Sequence, residues 1–167
     1  FTPSADSDLD LSGLTATATA TEPATGTTAS ATDSFNVITD AVADTPNLNA
    51  DNASGEEGTI IDLDIQTSVT DTDGSEAIQK VVISGLPQGT SLTAGTQVAS
   101  GVWELNTGQL GSLGIVVPDG VTGTFELTVT SFSEEVSLSG SEVDFTDNTA
   151  DTSTKLLLTV NPDDIPV

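Results

Sequence analysis

Apolar and polar residues alternate with period two in several short runs, the signature of half-buried β-strands. In TIIDLDIQTSV (59–69), Ile61, Leu63 and Ile65 fall on one face and Asp62 and Asp64 on the other. In FELTVT (125–130), Phe125, Leu127 and Val129 oppose Glu126, Thr128 and Thr130. The runs AIQKVVIS (77–84), GVWELN (101–106), LGIVV (113–117) and TKLLLTV (154–160) are further strands, punctuated by the turn signals DTDG, GLPQG, PDG and SG. Helical periodicity is nearly absent. Many short strands with regular turns predict an all-β, antiparallel sandwich. Trp103 then belongs between two sheets, and Asp62 and Asp64 form a solvated strand face.

The chain also repeats itself. LTATATATE (14–22) resembles LTVTSFSE (127–134), with Pro3 preceding the first and Pro118 the second. FNVITDAVADTP (35–46) resembles KLLLTVNPDDIP (155–166), and both end in Asp-x-Pro, at Asp44–Pro46 and Asp164–Pro166. A tandem array is the economical explanation. Residues 1–40 are the terminal strands of a preceding repeat, which lack a partner sheet. Residues 41–161 are a complete repeat, and 162–167 lead toward the next. The first fragment either completes a split domain that carries an insert or pairs with strands of a neighbour.

Composition narrows the chemistry. The 167 residues hold 26 acidic side chains against two basic ones, Lys80 and Lys155, for a net charge of -24. Nucleic acid and anionic membranes need Lys and Arg, so neither is an expected partner. Without Cys or His, zinc, copper and haem sites are not expected; no His can activate a hydroxyl nucleophile, and two lysines leave little else. A carboxylate pair could still cleave glycosides; one Trp and five Phe supply few platforms for sugar. The expectation is a non-enzyme, with a carboxylate-pair hydrolase as an alternative. No apolar run approaches the roughly 20 residues of a membrane span, and no signal peptide is visible.

The stretch VTDTDGSE (69–76) sets Asp71, Asp73 and Glu76 around Gly74 at a strand end. Such a cluster repels itself unless a cation sits in it. Calcium, a hard ion, takes about six to eight oxygen ligands. Asp71 and Asp73 can converge across a turn that Gly74 lets bend tightly, with Glu76 close enough to join. Ordinary turn chemistry is the competing reading, since Asp bonds its own backbone in turns. An EF-hand loop starting at Asp71 would need its bidentate Glu where Val82 stands. Asp144, Asp147 and Asp151 are read as a polar loop, with a second ion as the alternative.

The series SGEEGTIIDLDIQTSVTDTDGSE, ISGLPQGTSL, GVWELNTGQLGSLGIVVP and GTFELTVTS resembles the Ig-like, cadherin-like repeats of giant RTX adhesins exported by type I secretion. The likeness covers nearly all of 45–161, and 1–44 match the end of the same repeat. It implies extracellular Ig-like sandwiches strung from the surface of a Gram-negative cell, with neighbouring repeats as partners and with a role in adhesion and biofilm. Calcium at the joints stiffens the string. By analogy with cadherin joints, Asp40 and Asp44 of the linker, Glu57 of the loop before TIIDLDI, and an upstream residue such as Glu22 share the ion with Asp71, Asp73 and Glu76. Asp163 and Asp164 play the linker role at the next joint. The alternative is a split scaffold bearing a ligand-binding insert.

Overall fold

The computed structural model describes residues 1–2, 7, 9–71, 74–136 and 146–163. The strands in chain order are β1 (Leu11–Thr21), β2 (Thr28–Val37), β3 (Asn47–Ala50), β4 (Ala53–Glu56), β5 (Ile60–Asp62), β6 (Ile65–Ser68), β7 (Glu76–Ser84), β8 (Ser91–Leu92), β9 (Thr96–Ala99), β10 (Val102–Leu105), β11 (Gly114–Val116), β12 (Gly123–Glu135) and β13 (Thr149–Asn161). One 3-10 turn, Thr107–Gln109, follows β10. Among the described residues no helix is long and apolar enough to cross a membrane.

From β3 onward the chain is a two-layer β-sandwich. A six-stranded sheet, in the order β4-β13-β12-β7-β10-β9, faces a layer built from two small sheets, β5-β11-β8 and β3-β6. β4 joins β13 in parallel, with Ala53 beside Leu158 and Glu56 beside Asn161. The alternation seen in the sequence fills the space between layers. Ile61, Leu63, Ile65 and Ile115 come from one side, and Val81, Ile83, Leu127, Val129, Leu156 and Leu158 from the other. Trp103 packs against this core, as expected. Asp62 and Asp64 are exposed. The run 59–69 does not form one strand: it breaks after Asp62, where the Leu63 N–H donates to the carbonyl of Leu113 (2.9 Å), and resumes in β6 beside β3.

One polar bond ties the layers together. Thr67 Oγ1 donates to the Asn47 carbonyl (2.9 Å), so the hydroxyl of fully buried Ser131, 2.7 Å away, is the donor to Thr67. Replacing Thr67 with Val keeps the shape and strands the Ser131 hydroxyl. A loss of about 1–3 kcal/mol is expected, seen as a lower urea midpoint with an unchanged m value.

β1 and β2 form a separate two-stranded ribbon. Its pairing copies that of β12 and β13. Leu14 faces Phe35 and Thr21 faces Thr28, as Leu127 faces Leu156 and Glu134 faces Thr149. The ribbon turns through 22–27; in the second hairpin β12 ends at Glu135 and β13 begins at Thr149. Leu14, Ala16, Ala18, Ala20, Ala29, Ala31 and Phe35 share one face with Asp33, and a row of Thr and Ser lines the other. Leu127 and Leu156 are fully buried, whereas Phe35 is 49% exposed. The face that is a core in the second hairpin is therefore bare in the first.

Candidate metal centre

The acidic residues that the structure gathers lie at the end of the sandwich where β7 begins and β12 ends. A β-bulge aims the first of them. Phe132 pairs with Lys80 but Ser133 pairs with Ile78, so Gln79 is an extra residue in β7. Beyond it the inward parity changes, and Glu76 points into the sandwich although Val81 and Ile83 point inward too. Glu76 is 7% exposed and sits directly opposite Glu135, 6% exposed. Like charges facing each other across strands repel, more so when buried.

The surrounding bonds draw in the loops. Asp71, also buried, accepts from Ser75 Oγ at 3.0 Å. The Ser75 carbonyl accepts from the Val136 N–H at 2.7 Å, and the Asn148 carbonyl from the Glu135 N–H at 3.0 Å. Glu76 Oε1 accepts the backbone N–H of Asp44 in the linker at 2.7 Å. The other oxygen of Glu76 is buried without a hydrogen-bond partner, as is Oδ1 of Asp147. An anionic oxygen taken from water and left unbonded is costly, so these two atoms mark where a positive ligand would be most favourable.

Of the residues expected from sequence, Glu76 bonds the backbone N–H of Asp44, and Asp71 bonds Ser75, the residue before Glu76. Asp73 lies outside the described residues, as do Asp144 and Asp164. Asp40 is exposed in the same linker. Glu57 is at the opposite end: its carboxylate accepts from the Gly120 N–H and, at 3.3 Å, from that of Asp163, and its own N–H bonds Asn161. The 13-residue strands β12 and β13 span about 40 Å between the two ends, so Glu57 cannot share an ion with Asp44. Glu22 sits at the tip of the ribbon, where the backbone N–H of Gly26 bonds its carbonyl, whereas the linker leaves from the ribbon's other end. Asp151 is exposed on β13, apart from Asp147.

Glu135 escaped the sequence reading, and Asp147, read there as part of a polar loop with a second ion as the alternative, has a buried, unbonded oxygen at this end. The strand registers, Leu14–Thr21 against Leu127–Glu134, make Glu22 the counterpart of Glu135.

An oxygen-only, strongly anionic donor set suits a hard cation such as calcium and no soft one, and the bare oxygen of Glu76 fits that demand. Among the described residues, no three carboxylates converge as a ready-made shell. Elsewhere, a surface groove of about 400 Å³ is lined by Lys80, Asn106, Gln109 and a single carboxylate, Glu104. A second, of about 650 Å³, is lined by Asp62 and Asp64 with no aromatic side chain. Comparison with known protein families, curated proteins and solved structures gave no match.

Proposed function

We propose that residues 41–161 are an Ig-like extender module of a giant bacterial surface adhesin, exported by the RTX route and stiffened by calcium at its joints. Residues 1–40 are then the last hairpin of the module before it. The observation that carries the reading is the buried, half-bonded carboxylate of Glu76. It lies across from Glu135 and is attached to the incoming linker, in a chain whose net charge is -24. A divalent ion there turns repulsion among the linker, the Asp71 loop and the strand ends into attraction. The copied register of the two hairpins supports the tandem arrangement.

Calcium titration by calorimetry tests this directly. The wild-type chain is expected to bind calcium in the extracellular, submillimolar to millimolar range, and the double variant Asp71→Asn, Glu76→Gln to lose the high-affinity phase. A flat titration of the wild-type protein at millimolar calcium would remove the proposal.

A further inference from the structure

We propose that the outer edge of β1 is an interface at which two copies of this chain pair antiparallel about a twofold axis, fusing their ribbons into one four-stranded sheet. This depends neither on calcium nor on the adhesin reading. β1 and β2 form a sheet of their own, so β1 keeps a row of backbone N–H and carbonyl groups with no described strand beside it. The equivalent edge of β12 carries β7. Long open edges invite a further strand, and proteins blunt them with charge, proline or shortness. Among the described residues the edge strands of the sandwich, β3, β4, β5, β6, β8 and β9, have four residues at most. β1 has 11, LSGLTATATAT, with neither a charge nor a proline. β2 has Asp33 in its middle, and two such edges would bring like charges together. In a chain of net charge -24, β1 is therefore the long edge that two copies can share with least repulsion.

The sequence of β1 fits a second copy of itself. Backbone groups of an antiparallel strand point alternately to its two sides, so two β1 edges can bond only with residues of the same parity opposite each other. TATATAT (15–21) then sets Thr against Thr and Ala against Ala along the whole join. The ribbon already uses that match, with Thr17 Oγ1 2.8 Å from Thr32 Oγ1 and Thr19 Oγ1 2.9 Å from Ser30 Oγ. Centring the axis on Thr17 sets Leu14 beside Ala20, whereas centring it on Ala18 would set Leu14 beside the charge of Glu22. The first is the register assigned. A two-stranded ribbon alone is marginal in water and more strands are sturdier; the isologous join supplies them. The face of Leu14 and Phe35 stays open.

Sedimentation equilibrium of the 167-residue chain in EGTA tests this. Between about 10 μM and 1 mM the molar mass is expected to rise from 16.8 kDa toward twice that value. The dimer is expected to tighten about tenfold as salt goes from about 0.01 to 1 M, because the screening length falls from about 30 to 3 Å. Thr17→Lys puts two cations face to face at the axis and is expected to leave a monomer at every concentration. Thr124→Lys, the same charge change at an exposed position of the sandwich, is expected to leave the dimer intact. The chain has no Cys, and opposite residues across such a join have Cα atoms about 4.5–5.5 Å apart, within disulfide reach. Thr17→Cys is therefore expected to cross-link to itself on mild oxidation at concentrations where Thr124→Cys stays monomeric. A wild-type chain that is still a monomer at about 1 mM, a dimer that survives Thr17→Lys, a dimer that salt dissociates, particles larger than a dimer, or equal cross-linking of the two Cys variants would each overturn the inference.

Discussion

In excess EGTA the chain is expected to melt about 5–10 °C lower than in calcium at a hundredfold excess over its Kd. A ligand that binds only the folded state adds about 2.7 kcal/mol at that ratio, and a chain of this length gains about 2–4 °C per kcal/mol. The variant Glu76→Gln separates the causes. It keeps an oxygen to accept the Asp44 N–H and removes one of two buried charges that face each other. In calcium it is expected to lose most of the shift. In EGTA it is expected to melt no lower than the wild type, because the charge it removes was repelled by Glu135 and left one oxygen unbonded. Opposite signs in the two buffers are the mark of a cation site. If Glu76→Gln lowers the melting temperature equally in both, Glu76 serves as a structural acceptor for the linker and the metal reading fails. Differential scanning calorimetry in the two buffers decides it.

Leu127→Ala is expected to cost about 3 kcal/mol and Leu14→Ala no more than about 0.5 kcal/mol. The two leucines hold equivalent places in equivalent hairpins. Leu127 is fully buried between the layers, and truncating such a leucine loses transfer free energy and leaves a cavity. Leu14 is only partly buried, on a ribbon whose neighbouring Phe35 is half exposed, so its truncation stays within the range of surface changes. Urea titrations of both variants measure the contrast. Equal costs would mean that the ribbon's apolar face is covered in solution by some part of the 167-residue chain, and residues 1–40 would no longer stand as the remnant of a separate module.

The strands that build the core were legible because burial there is written in aliphatic residues. Ile61, Leu63 and Ile65, and likewise Leu127 and Val129, alternate with Asp, Glu and Thr, and only one face of such a run can be buried. The outer halves of β12 and β13 were not legible. Inward positions there are Ser131, Ser133 and Glu135 on β12 and Thr152 and Ala150 on β13, which match no apolar template. β3, β4, β8 and β9 are short and polar for the same reason. At the candidate centre, clustering in sequence found Asp71 and Glu76. Depth could not be read, because Glu76 is turned inward by the extra residue Gln79, and a bulge leaves no mark on composition. Glu57 was misplaced because nearness along the chain to TIIDLDI says nothing about which end of the sandwich the loop occupies. The linker's bonds to Ser133 and Asp147 were not legible because those residues are distant in sequence.

The parallel join of β4 to β13 has a mechanical consequence. β13 ends at Asn161, and tension applied to the chain beyond it runs along the strand. The bonds from β13 to β4 on one side and to β12 on the other lie crosswise to the pull. They are loaded together in shear, whereas peeling from an edge would break them one after another. A strand flanked on both sides at the point of traction is suited to a link in a chain that must stay folded under load.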